Sequence, residues 1–482
     1  MAGTASGRGR RSRGRKPTRP TPEDVTMVEE SKVRKAVAAA AIGNTMEWFD
    51  FGVFSYLTVV ISQVFFPSNS PTAQLLSTFA TFAVAFLVRP LGGFFFGPLG
   101  DRIGRRKVLA ITMVTMAIGT FAIGLIPSYA SIGIGAPVLL LIARLVQGFS
   151  TGGEYGGATT FVSEYAPDRR RGFMASWLEF GTLTGYSLGA AVVTVLTISL
   201  SQADMVSWGW RIPFLLGGPL GLIGLYLRFR LEETPAFEQE DSRAEDDRRA
   251  GRRNSYREIF VTCWRPLLVC VGLVLVFNVT NYTLTAYMPT YLTVVLGFSH
   301  PQSLVLIMAV MILVIGLVVA LGRHSDRVGR LPVIGFGSVA LIVLAVPAFL
   351  LMSVGTWWAV LLGVLVLGLV LVCFSSTLPS TIPALFRTSV RYGGVSIGYN
   401  LSVALFGGTA PLISEALIGA TGSRIAPAFV LVVAGAVGIV AVLFARESAR
   451  RALPGSSPSA TTDAEARKTA RDQRRDQDGP DA

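Results

Sequence analysis

Two carboxylates, Glu47 and Asp50, stand three residues apart in an otherwise apolar stretch, flanked by Trp48, Phe49 and Phe51. On a helix that spacing places both on one face. Carboxylates so close in a low dielectric repel each other, so the pair can take up and release a proton near neutral pH. Arg144 is a further charge in apolar surroundings, and its planar fork can hold a carboxylate at two points, whether that carboxylate belongs to the first helix or to a small molecule. Glu154 follows ten residues later, about 15 Å along a helix axis, too far to pair with Arg144 directly.

Around these charges the chain supplies aromatic faces and neutral hydrogen-bonding groups. Glu154 and Tyr155 lie among Gly152, Gly153, Gly156 and Gly157, where backbones can approach closely. Asn278, Asn281, Tyr282, Tyr287 and Asn400 offer amides and hydroxyls in the second half of the chain. Faces such as Trp48, Tyr155 and Tyr282 can hold a quaternary ammonium by cation–π attraction. The candidate proton carriers are therefore Glu47 and Asp50. The candidate small-molecule contacts are Asn44, Trp48, Arg144, Glu154, Tyr155, Asn278 and Tyr282. Arg89 and Glu179 also fall inside apolar runs, with partners the sequence does not name. No HExxH or GxxxxGK[ST] pattern occurs, and the two histidines and three cysteines lack ligand spacing, so no enzyme centre, metal or cofactor is expected.

The elements that must hold these groups are membrane helices. The 482 residues are 51% hydrophobic and only 15% charged, with a mean hydropathy of +0.54, too apolar for a wetted surface. Twelve apolar runs long enough to cross a hydrocarbon core of roughly 30 Å follow one another. They span about 36–61, 74–99, 107–127, 136–161, 171–198, 209–229, 264–296, 303–322, 331–352, 356–382, 391–419 and 425–446. The net charge of +13 sits in tails and short loops, with no soluble domain behind the basic arm Gly7 to Arg19, so a nucleic-acid partner is not expected. Within the fifth run, Gly181, Gly185 and Gly189 form a small-residue ridge for close helix packing.

Two loops share one pattern. Gly97, Asp101, Arg102, Gly104 and Arg105 recur in order as Gly322, Asp326, Arg327, Gly329 and Arg330, each between the second and third run of its half. The charged stretch 230–262 separates the halves, giving two six-helix bundles, 36–229 and 263–446, with a path between them. Residues 1–35 and 447–482 read as disordered tails, and the second lacks the heptads of a coiled coil. Arginines and lysines gather in alternate connections, so the repeated loops and both termini are expected on the cytoplasmic side of a cell membrane. By twofold symmetry Asp326 is expected to face the start of the fifth span near Arg171 and Gly172, and Asp101 the start of the eleventh near Arg391 to Gly394. Gly97, Asp101, Arg102, Gly104 and Arg105, with Asp326, Arg327, Gly329 and Arg330, are the candidate gate.

The repeated loop resembles the signature of the major facilitator superfamily. Gly43 to Gly52, Arg89 to Gly93, Gln147 to Tyr155, Trp208 to Phe214 and Leu231 to Phe237 further resemble its metabolite:proton symporter family, most closely the osmoregulatory carriers of proline and betaine. The resemblance covers roughly residues 36 to 446. It implies twelve helices, alternating access, and proton-coupled uptake of a small zwitterionic osmolyte such as proline or glycine betaine. The alternative within the family is an organic acid resembling 2-oxoglutarate, citrate or shikimate. The osmoregulatory members carry a coiled-coil C-terminal extension, which this sequence does not match.

Overall fold

A computed structural model of the protein describes residues 21, 25–68, 70–103, 105–229 and 258–478. Stretches 1–20 and 230–257 of the expected tail and linker lie outside the described residues. Apart from one two-stranded pairing the described chain is helical. Nine of its helices are long and apolar enough to cross a membrane, and a tenth span is the pair α1 (Glu30–Tyr56) and α2 (Thr58–Phe65), bent by 63° at Leu57. The third and sixth expected spans fall on α5 (Arg105–Leu125) and α9 (Arg211–Phe229), whose ends pass outside the described side chains. The order of helices is that of the twelve runs.

The first bundle continues with α3 (Pro71–Leu87), α4 (Arg89–Ile103), α6 (Gly135–Thr151), α7 (Glu154–Tyr165) and α8 (Arg171–Ser199). The fourth span is thus two helices, interrupted at Gly152-Gly153. The glycine ridge of α8 seats α1: a side chain at Gly181 or Gly185 would collide with the backbone of Ala41 or of Thr45 and Trp48. That close approach brings Glu47, Trp48 and Asp50 into the bundle, where all three are buried.

The second bundle comprises α10 (Trp264–Tyr282), α11 (His300–Val328), α12 (Arg330–Ser353), α13 (Trp357–Ser375), α14 (Arg391–Ser402), α15 (Ala410–Thr421) and α16 (Ala426–Phe444). Its local signals are readable. Ser299 caps α11 reciprocally with Gln302, with a proline in the first turn. Gly329 breaks α11 from α12 at φ +112°, a backbone region that a β-carbon disfavours, which accounts for a glycine at that place in the repeated loop. Between the bundles α8 packs on α11, and neither Gly172 nor Gly322 has room for a side chain.

The tails depart from expectation. Strand β1 (Thr26–Met27) pairs in parallel with β2 (Ser459–Ala460), and α1 begins at Glu30 rather than near residue 36. Beyond β2, α17 (Asp463–Asp478) buries Ala466 and Ala470 against Val25 and Ala460. Polar contacts fasten the segment to the arginine-rich face: Asp472 pairs with Arg169, the carbonyl of Pro454 accepts from Arg391 at 2.7 Å, and that of Arg451 from Arg171 at 2.9 Å. A reading that asks for apolar runs or heptads overlooks a segment held by small alanines and charge.

Candidate functional site

The face of α1 that the ridge draws inward carries the charged centre. Asn44 does not present its amide to the middle of the molecule, contrary to its place among the expected contacts. Its Nδ2 donates to the Leu178 carbonyl at 2.8 Å and to Thr182 Oγ1 at 2.5 Å, and its Oδ1 accepts from Trp48 Nε1 at 3.1 Å. Both amide hydrogens are spent on joining α1 to α8, so Asn44 sets the indole of Trp48.

Glu47 and Asp50 share a helix face but take different partners. Glu47 Oε1 lies 3.6 Å from Arg89 Nη2. Asp50 Oδ2 accepts from Thr120 Oγ1 at 2.6 Å, Thr120 Oγ1 accepts from Gln147 Nε2 at 2.7 Å, and Gln147 Oε1 accepts from Arg144 Nη1 at 3.0 Å. Asp50 and Arg144 are therefore the ends of one hydrogen-bonded chain. Glu47, Asp50 and Glu154 also line one cavity of about 10 Å³ with Met113, Met116 and Gly217, close to the size of a single water.

Two guanidinium groups flank the ring of Phe51. Arg89 stands 4.7 Å from its centroid and Arg144 5.3 Å; Arg89 also lies 4.6 Å from Phe86, and Arg144 4.1 Å from Phe54. Both arginines are 0% exposed. Among the described residues, Nε, Nη1 and Nη2 of Arg89 and Nε and Nη2 of Arg144 have no hydrogen-bond partner. A buried cation with donors unspent is costly, and a carboxylate is the group that satisfies such a fork.

Beside them is an aromatic cage built from both bundles. The Trp48 ring lies 5.6 Å from Tyr186 and 6.0 Å from Tyr282, and Tyr282 lies 5.1 Å from Phe86. Tyr282 and Asn278 come from α10; the Tyr282 hydroxyl and both amide atoms of Asn278 are buried without hydrogen-bond partners among the described residues. Thus Trp48 and Tyr282 meet at the centre, with Arg144 on the far side of the neighbouring Phe51 ring and Asn278 one turn from Tyr282 on α10. Glu154 faces the carboxylate cavity instead. Tyr155 is turned aside: its hydroxyl donates to Glu179 Oε1 at 2.6 Å and its ring stacks on Tyr399.

Arg89 stands out in the sequence as a charge in an apolar run, though without a named partner, whereas Thr120 and Tyr186 carry no signal that separates them from ordinary helix residues. Gln147, three residues after Arg144, carries one in its spacing.

At the face of the repeated loops, Asp326 occupies the position that the repeat symmetry gives it. Its Oδ1 accepts from Gly172 N at 2.7 Å and its Oδ2 from Phe173 N at 2.9 Å, at the start of α8, with Arg330 Nη2 3.7 Å away. Arg330 Nη1 donates to the Ser380 carbonyl and to Ser448 Oγ. The Arg327 carbonyl accepts from Arg450 at 3.3 Å. Across the other seam Arg391 Nη1 meets Glu164 Oε1 at 2.8 Å. Gly104 and the side chains of Asp101, Arg102 and Arg105, with the surroundings of Gly97, lie outside the described residues, and so does the expected contact of Asp101.

Comparison with known proteins agrees with this architecture. The family of sugar (and other) transporters matches residues 36–455. The chain is 47% identical over 458 residues to the proline/betaine transporter of Escherichia coli strain K12, covering 94% of this chain and 91% of that one. It is 47% identical over 449 residues to the glycine betaine/proline/ectoine/pipecolic acid transporter OusA of Dickeya dadantii, covering 92% and 89%. Against the ectoine/proline transporter ProP of Corynebacterium glutamicum the identity is 43% over 465 residues, covering 95% and 92%. Among solved structures, the proton:xylose symporter XylE superposes with a TM-score of 0.71 at 19% identity, over 88% of this chain and 98% of that one, which establishes a common fold. Taken with the two six-helix bundles and the paired loop motif, these matches place the chain in the sugar (and other) transporter family, as a multi-pass membrane transporter.

Proposed function

We propose that the protein imports a small zwitterion such as proline or glycine betaine together with a proton, by alternating access between its two bundles. The observation that carries this reading is the pairing of two buried arginines, most of whose N–H groups have no hydrogen-bond partner among the described residues, with an aromatic cage a few ångströms away. A zwitterion matches both halves of that arrangement: its carboxylate takes the guanidinium fork, and its secondary or quaternary ammonium rests on Trp48 and Tyr282. The names of the relatives point the same way.

Proton coupling is assigned to the chain that ends on Asp50. With Asp50 ionised, Thr120 and Gln147 are oriented toward it and draw on Arg144 Nη1. A proton on Asp50 removes that pull and leaves the Arg144 fork for the substrate carboxylate. Glu47, beside Arg89 and on the same cavity, is the second proton-handling group, and Glu154 completes the carboxylate set. The loop motif acts as the gate, with Asp326 on the start of α8 and Asp101 its counterpart in the sequence repeat. The arginine distribution among the loops supports a cytoplasmic location for this face and for both termini.

A second reading is an organic acid, favoured by the presence of two arginines with unspent donors rather than one. Uptake of labelled glycine betaine into proteoliposomes under an imposed inward proton gradient tests both. Under the first reading unlabelled proline and betaine compete and dicarboxylates do not. Competition by dicarboxylates alone would replace it with the second.

A further inference from the structure

The interruption of the fourth span at Gly152-Gly153 is gripped by the opposite bundle. The Gly152 carbonyl accepts from Asn400 Nδ2 at 2.5 Å and the Gly153 carbonyl from the Tyr392 hydroxyl at 3.2 Å. A side chain at Gly156 would collide with Ser396. Between these contacts the rings of Tyr155 and Tyr399 stack with centroids 3.9 Å apart and an interplanar angle of 15°. Both rings are buried, one from each bundle. The Glu164–Arg391 pair closes the same seam at the loop face, and Tyr155 and Tyr399 lie nine and eight residues inward from it, about 12–14 Å by helix rise. The stack therefore separates the Trp48–Tyr282 cage from the loop face.

One side chain decides where the Tyr155 ring stands. Its hydroxyl donates to Glu179 Oε1 at 2.6 Å, and Glu179, on α8, is buried within the first bundle. Residues 152–155 thus connect two regions. Glu154 lines the cavity of Glu47 and Asp50, while Tyr155 turns the other way, into the seam between bundles.

We propose that the stacked rings of Tyr155 and Tyr399 are the inner gate on the loop-motif side of the substrate site, and that Glu179 is the positioning residue that keeps this gate shut by holding the Tyr155 hydroxyl. The role asked of Glu179 is that of an acceptor, so a glutamine fulfils it and an alanine does not. When the bundles part on this side the stack must break. Without Glu179 the Tyr155 ring can rotate out of the seam, and the closed arrangement loses a charge-assisted hydrogen bond.

The inference rests on the reading that the loop face is cytoplasmic, and the experiment separates the two. A cysteine replaces Ser396, whose hydroxyl is buried in the seam without a hydrogen-bond partner among the described residues. Its alkylation by a membrane-impermeant maleimide is followed by peptide mass, apart from Cys263, Cys270 and Cys373, in inside-out and in right-side-out vesicles. Adding Tyr155→Phe or Glu179→Ala should raise the labelling rate in inside-out vesicles by about tenfold, the scale of one lost hydrogen bond to a charged group. Adding Glu179→Gln should leave it at the S396C rate and leave proton-driven uptake intact. A rise confined to right-side-out vesicles would keep the gate and overturn the orientation. Unchanged labelling in both vesicle types with Tyr155→Phe overturns the proposal that Glu179 keeps this gate shut through the Tyr155 hydroxyl, and that conservative variant carries the test should Glu179→Ala not fold. Loss of proton-driven uptake in Glu179→Gln at an unchanged labelling rate would make Glu179 a proton carrier and overturn its positioning role.

Discussion

The Asp50 carboxylate and the Arg144 guanidinium communicate through two intervening side chains, Thr120 and Gln147, rather than by direct contact. In the proposed mechanism such a chain transmits the protonation of Asp50 to the availability of Arg144 while keeping the arginine fork open to a ligand. Asp50→Asn is therefore expected to exchange labelled for unlabelled substrate yet fail to accumulate it under a proton gradient. Glu47→Gln should show the same dissociation. Full gradient-driven uptake in both variants would remove the two carboxylates from the coupling mechanism.

If Thr120 is the link, Thr120→Val should weaken coupling without abolishing binding. The loss is one hydrogen bond to a charged group, about 1.5–3 kcal/mol, or roughly tenfold to a hundredfold in the equilibrium it controls. The measurement is the steady-state accumulation ratio against pH. A variant indistinguishable from the parent at every pH would break the chain at that point.

The buried arginines carry a separate expectation. Lysine keeps the charge of Arg144 or Arg89 but not the planar fork, so Arg144→Lys and Arg89→Lys should each raise KM at least tenfold while sparing protein yield. Unchanged KM in both would mean that neither fork meets the substrate carboxylate. Truncating the cage is expected to act selectively: Trp48→Leu should cost a quaternary ammonium substrate about 0.5–2 kcal/mol, and an organic acid competitor little.

How far these groups are legible in the sequence follows from what each one signals. A charge inside an apolar run announces itself, so Glu47, Asp50, Arg144 and Arg89 stand out by residue type and surroundings alone. A repeat with identical glycines, aspartates and arginines likewise places Asp326 at the start of the fifth span by symmetry. Neutral polar residues do not announce direction. Nothing in the string distinguishes Asn44, whose amide is consumed between α1 and α8, from Asn278, whose amide is unpartnered among the described residues at the centre. Tyr155 and Tyr282 look alike in sequence, yet one faces the seam and the other the cage, because helix rotation about an interrupted span is set by packing. The folded C-terminal segment is hidden for another reason: its partners are arginines scattered over several loops.

Asp326 bears on the gate. It accepts two backbone amides at the start of α8, where the helix dipole favours negative charge. Asp326→Asn retains one acceptor and loses the charge, so the closed state should weaken by about 0.3–2 kcal/mol, seen as faster maleimide labelling of a cysteine at Ser176 on the same seam. A rate equal to that of the parent would leave Asp326 a local cap with no part in gating.

The C-terminal segment begins at Glu447, and its docking has a definite pH signature. Burial works against the charge of Glu447, yet amide donors from Ala449, Leu331, Arg330 and Ser448 hold its carboxyl below the usual glutamate range. Leu331 N donates to Oε2 at 2.9 Å, and Ser448 and Ala449 donate to Oε1 at 2.8 Å each. A carboxyl depressed in the docked state contributes stability that is fully present above its undocked value and is lost as pH falls through the docked one. Docking should therefore be flat from neutral to mildly acid pH and loosen only in stronger acid. A spin label at the exposed Ser457 reports this as a mobility that rises at low pH in the parent. In Glu447→Gln the mobility should already be raised at neutral pH and vary less with acid. Equal mobility of parent and variant at neutral pH would mean that the segment is held by its other contacts, the Asp472–Arg169 pair and the Pro454 and Arg451 carbonyls, without help from Glu447.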